Sequence, residues 1–146
     1  MIEIRVRKGT QLRKDKKWID ISGHLIYALN LTTLAGADLS GLNLDHADLM
    51  GHDLAKCVLR SASLGVAKLD AANLSNAVLV GTMLGGASLR NAILVGADLT
   101  QANLIGADIS GADLSDAILD RTRLEEAVHD ETTKWPDGFD PASIVL

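Results

Sequence analysis

From residue 29 to residue 124 every fifth position is leucine, with a single isoleucine: Leu29, Leu34, Leu39, Leu44, Leu49, Leu54, Leu59, Leu64, Leu69, Leu74, Leu79, Leu84, Leu89, Leu94, Leu99, Leu104, Ile109, Leu114, Leu119 and Leu124. A repeat this long decides the architecture before any other signal is weighed. Two residues before each of these positions, from Thr32 to Thr122, thirteen of nineteen residues are alanine, the exceptions being Thr32, Leu42, His52, Cys57, Thr82 and Thr122.

Neither regular element tolerates a period of five. Five residues of α-helix advance about 500°, so successive leucines would ring the cylinder without forming a stripe. On one continuous strand an odd period sends alternate leucines to opposite faces. The period works if the chain turns a corner once per repeat: alanine in, polar residue out, leucine in, then two residues around the bend. The result is a coil lined with leucine, with alanine marking where the interior is narrow. Gly36, Gly41, Gly51, Gly81, Gly86, Gly96, Gly106 and Gly111 all fall two residues after the central position, where a tight bend most needs a tolerant backbone.

The segments "ADLSG" at 37–41, "ANLSN" at 72–76, "ADLTQ" at 97–101, "ANLIG" at 102–106 and "ADLSD" at 112–116 carry a resemblance to the pentapeptide repeat family. It covers about two thirds of the chain. The resemblance implies an all-β fold, a right-handed quadrilateral β-helix with about four repeats per coil. Twenty repeats then make about five coils, a rod roughly 24 Å tall at the ordinary strand spacing. Residues 34 to 124 of the leucine series are its core, and residues 29–128 its extent.

The ends need covers, because terminal coils of a solenoid expose apolar interior and unpaired backbone. Residues 1–28 are expected to form an N-terminal capping segment, a short β-hairpin. In it "IEIRV" turns Ile2, Ile4 and Val6 inward, "RKGT" makes the turn and "WIDI" returns over the bottom coil. This segment holds seven bases and three acids, a net charge of +4, so docking onto an acidic partner is the alternative to capping. The leucine register breaks at His129, although Ala127 keeps phase. The turn signal in "KWPDGFDP" and the apolar "SIVL" make 129–146 a C-terminal cap or tail. Several members of the family pair through their C-terminal ends, so the resemblance permits a homodimer there.

Composition fits one domain of 146 residues with 3% aromatics and a net charge of −5. With no 18-residue apolar run and no leader, neither a membrane span nor export is expected, and the cytoplasm is the expected compartment. The lone Cys57 excludes an internal disulfide. Catalysis is not expected either. Nine Asp or Asn residues precede a central leucine, namely Asp38, Asn43, Asp48, Asp53, Asn73, Asp98, Asn103, Asp108 and Asp113. They recur because the repeat recurs, and are expected to face solvent from flat walls without positioned partners. His46, His52 and Cys57 resemble a loose metal constellation. The repeat, however, puts His46 at a corner and His52 and Cys57 in small inward slots on successive sides. No metal, cofactor or direct nucleic-acid contact is called for.

Surface recognition remains. A protein-interaction scaffold is the first expectation. Some family members mimic B-DNA and bind DNA gyrase, which makes a gyrase-directed mimic the alternative. A mimic needs carboxylates along its length. Here Asp38, Asp48 and Asp53 lie low and Asp98, Asp108 and Asp113 lie high. The outward positions between them read Val58, Ser63, Lys68, Asn73, Val78, Met83, Ser88 and Ile93, with Arg60 and Arg90 nearby. With twenty residues per coil, Val58, Val78, Val80, Ile93 and Val95 gather around one corner as a candidate exposed interface.

Overall fold

The computed structural model describes residues 34–145 in full, and of the remainder only the strand backbones β1 (Ile2–Ile4), β2 (Thr10–Lys14), β3 (Lys17–Ile21) and β4 (Tyr27–Leu29). From Asp38 onward the outward residue of each repeat pairs in parallel with the residue twenty further on, as in Asp38 with Val58 and Val58 with Val78. Twenty residues per turn at five per repeat is a four-sided coil. The first wall stacks Asp38, Val58, Val78, Asp98 and Ile118; the second Asn43, Ser63, Met83, Asn103 and Arg123; the third Asp48, Lys68, Ser88, Asp108 and Val128; the fourth Asp53, Asn73, Ile93, Asp113 and Lys134.

Backbone hydrogen bonds run between layers. Leu39 N donates to Val58 O above at 2.7 Å, Val58 N donates to Ala37 O below at 2.8 Å, and the corner Gly41 N donates to Arg60 O above at 2.9 Å. Each corner is closed by a turn bond, as from Ala62 N to Leu59 O at 3.0 Å. The third turn residue has positive φ at every corner from Gly36 (69°) to Glu126 (58°), which marks type II turns. Glycine is favoured there, yet His46, Lys56, Val66 and Asn76 are among the residues that take the same conformation.

The inward residues make one continuous core. Every central residue from Leu34 to Leu114 is at most 2% exposed, and Cys57 fills its alanine slot with 0% exposure. Burying one leucine contributes roughly 1.5–3 kcal/mol, so the column is the main source of stability. Thr82, also 0% exposed, replaces alanine by donating its hydroxyl to Leu59 O one layer below at 2.7 Å. Leu119 is only partly buried, because no further coil continues the first wall above it.

The register break at His129 is a one-residue insertion. Asp113 pairs with Lys134, twenty-one residues on, so residues 133–135 complete the fourth wall one step late. The enlarged corner is held by Asp130, whose Oδ1 accepts from Gly111 N (3.2 Å), Thr132 N (2.9 Å) and Thr133 N (3.1 Å). Trp135, Phe139 and Ile144 then pack against the core, with Trp135 stacked on Phe139 at a ring separation of 4.7 Å. Glu126 N donates to Val145 O at 2.9 Å, tying the tail to the last coil.

At the other end the strands pair with other partners than "IEIRV" with "WIDI". β1 pairs antiparallel with β4, Ile2 opposite Leu29, and β2 pairs with β3, Thr10 opposite Ile21. The "WIDI" strand therefore pairs with residues 10–13 of β2 and not with "IEIRV". The inward placement of Ile2, Ile4 and Val6, and the cover over the bottom coil, lie outside the described residues.

Candidate interaction surface

The nine Asp and Asn residues before a central leucine do not stand free, which corrects the expectation that they lack positioned partners. Each accepts, through Oδ1, the backbone N–H two residues on: Asp38 from Ser40, Asn43 from Asp45, Asp48 from Met50, Asp53 from Ala55, Asn73 from Ser75, Asp98 from Thr100, Asn103 from Ile105, Asp108 from Ser110 and Asp113 from Ser115. A short side chain is what reaches that N–H at the start of the bend. The sequence carries the signal, since neither Glu nor Gln occupies any outward position from 38 to 134.

Two of these carboxylates also hold bases. Asp108 Oδ2 lies 2.6 Å from Arg90 Nε and Asp113 Oδ2 lies 2.9 Å from Lys134 Nζ. Burial works against the charge of Asp108, but hydrogen bonds from Ser110 and Arg90 outweigh it and hold its carboxyl below the usual range. Hydrogen bonds from Ser115 and then Lys134 do the same for Asp113. The six candidate acids Asp38, Asp48, Asp53, Asp98, Asp108 and Asp113 divide two to a wall over the first, third and fourth walls. They form two rings, in the first and fourth coils, and no continuous acidic side.

Between the rings the third coil presents Val78, Met83, Ser88 and Ile93. Val78 stacks directly on Val58. The candidate patch is less open than expected: Val58, Val78, Val80 and Val95 are half-buried, because neighbouring layers at strand spacing shield a β-branched side chain. Ile93 is 42% exposed, and Met83 on the second wall is 51% exposed. Met83 is thus an exposed apolar group on this coil that reasoning about a single corner missed.

His46 stands exposed at a corner. His52 departs from the inward slot expected for it: it is half-buried, and its Nδ1 lies 2.9 Å from Met50 O at the corner. The imidazole finds a polar partner there that the leucine interior does not offer. Cys57 is sealed in, and burial pushes its thiol up to about 12, the behaviour of a small hydrophobe. Among the described residues no three His, Cys, Asp or Glu side chains are grouped to hold a metal ion, and no helix is long and apolar enough to cross a membrane.

The pentapeptide-repeat signature matches residues 57–94 and 84–121, with eight copies. A pentapeptide repeat protein from the Arabidopsis thaliana thylakoid lumen is 32% identical, with a TM-score of 0.63 and coverage of 64% of this chain and 66% of that one. A pentapeptide repeat protein from Nostoc Pcc 7120 is 36% identical over 70% of this chain and 77% of that one, with a TM-score of 0.36. QnrB1, a plasmid-mediated fluoroquinolone resistance protein, is 19% identical over 71% of this chain and 57% of that one, with a TM-score of 0.40. The chain thus spans a little under two thirds of the thylakoid-lumen protein's length. No curated protein matches the sequence. The chain belongs to the pentapeptide repeat family, and its four-walled coil is the family's right-handed quadrilateral β-helix.

Proposed function

We propose that this chain is a noncatalytic protein-interaction module, acting in the cytoplasm, whose contact surface centres on its third coil. One observation carries the reading. In that coil Val78, Met83 and Ile93 replace the Asp and Asn that cap turns in the first and fourth coils, so apolar groups face outward on three of the four walls. Exposed apolar surface on a soluble protein marks a partner site more often than a bare wall. The competing explanation is that β-branched ladders simply suit stacked strands.

Ile93→Lys and Val80→Lys separate the two. Both side chains lie outside the core, so the fold and its melting temperature should survive, while capture of the partner in pull-downs should be lost. Binding profiles identical to those of the unmodified protein would make the surface purely structural. Light scattering on the same samples reads self-association. Ile118, Val128 and Val145, at 51%, 53% and 69% exposure near the C-terminal end, support a homodimer through that end.

A gyrase-directed DNA mimic needs carboxylates along one side of the rod. Two outward acids on each of three walls and none on the second, with Asp108 and Asp113 paired to Arg90 and Lys134, argue against it. Titrating the protein into a gyrase supercoiling assay should leave supercoiling and quinolone-induced cleavage unchanged. Inhibition or protection at low micromolar protein would reinstate the mimic.

A further inference from the structure

The second wall differs from the other three: its outward residues Asn43, Ser63, Met83, Asn103 and Arg123 include no carboxylate. Its lower half holds a depression of about 390 Å³, lined by Asn43, Asp45, Ser61, Ser63 and Met83 over the buried Leu42. Asp45 stands at its edge, half-buried, and its Oδ1 accepts from Ser63 Oγ at 2.5 Å and from Gly65 N at 2.7 Å. A Cβ on Gly65 would lie 3.1 Å from that oxygen, so glycine makes the room in which the carboxylate sits.

Both bonds go to one oxygen, which fixes the orientation of the group. Oδ2 makes no hydrogen bond among the described residues, and none of their ion pairs uses Asp45. A carboxylate oxygen with no base among the described residues, an amide and hydroxyls beside it, and an exposed thioether at the rim together make an amphipathic receptor for a cation. An arginine fits: its methylene stem covers Met83 and its forked donors reach Asp45 Oδ2 with Ser61 and Asn43 around it. Lysine, a point charge, would use fewer of these acceptors.

We propose that this depression receives an arginine side chain of a partner protein. The inference shares with the preceding section the premise that the module binds a protein, and shares Met83 with its third-coil surface, but the receptor lies on the second wall around Asp45 and is tested without the partner.

The probe is N-acetyl-arginine-methylamide, titrated into the full chain and followed by NMR at the Met83 methyl and the Ser63 and Gly65 amides. Saturable shifts at these three places are expected. The citrulline analogue, isosteric but neutral, and the Asp45→Asn variant, which keeps Oδ1 for Ser63 and Gly65, should each bind at least fivefold more weakly. Ile93→Lys should bind the probe like the unmodified protein, so loss of the third-coil interface and loss of this site read separately. Equal shifts with citrulline, undiminished binding in Asp45→Asn, or no saturable shift would overturn the assignment. The citrulline comparison on the unmodified protein stands even if Asp45→Asn fails to fold.

Discussion

At the scale of single residues, the repeat imposes a backbone conformation and the side chains accept it at differing cost. Val66 is the clearest case. It is β-branched, 56% exposed and held at φ 56°, in the left-handed region that costs an L-residue roughly 1–2 kcal/mol. Glycine would remove that cost while adding about 0.5–1 kcal/mol of backbone entropy. Val66→Gly should therefore leave stability unchanged or raise it by up to ~1 kcal/mol, and a lower melting temperature would refute the strain argument. Gly96 shows the opposite constraint. A Cβ there would stand 2.7 Å from Asn76 Oδ1, so the corner below decides which residue the corner above can hold.

At the scale of the element, the unit of stability is the corner together with its cap. Asp98 is a fair test because its Oδ1 accepts from Thr100 N at 3.0 Å and it joins no ion pair among the described residues. Asp98→Ala should lower stability by about 0.5–1.5 kcal/mol, the net worth of one hydrogen bond. Asp98→Asn should be nearly neutral, since Asn43, Asn73 and Asn103 cap their turns the same way. Denaturation curves showing equal losses for both variants would put the effect on charge and not on the cap. This role was half-legible in the sequence. The recurrence of Asp and Asn was plain, but its cause was hidden until the side chain could be placed against the N–H two residues on.

For the molecule as a whole, charge and stability are linked most strongly at the upper end. Asp108, Asp113 and Asp130 all have carboxyls held below the usual range; Asp130 is held first by its bond from the Thr132 hydroxyl. A depressed folded value means that the unfolded chain binds protons first. The stabilisation is complete above the unfolded value near pH 4 and is lost as pH falls through the folded values. The melting temperature should be flat from pH 7 to about 5 and fall below about 4. Hydrogen exchange in acid should loosen the coils above Asp98 first. A melting temperature that rises on acidification, or exchange beginning in the second and third coils, would contradict this linkage.

The solenoid, its leucine and alanine interior and the place of its corners were all legible in the chain's five-residue period. A period of five fits no straight element, and the pattern is local: each repeat states its own inward, outward and bending positions. The resemblance supplied four sides. What depends on the neighbour one coil away is settled by packing between layers: the hydroxyl bond of Thr82 to Leu59, the shielding of Val78 by its layers, and the one-residue insertion that Asp130 absorbs by accepting from Gly111 N. Those contacts join residues about twenty positions apart in the chain and one layer apart in space. A five-residue pattern carries no information about them, because it is the coil and not the repeat that brings them together.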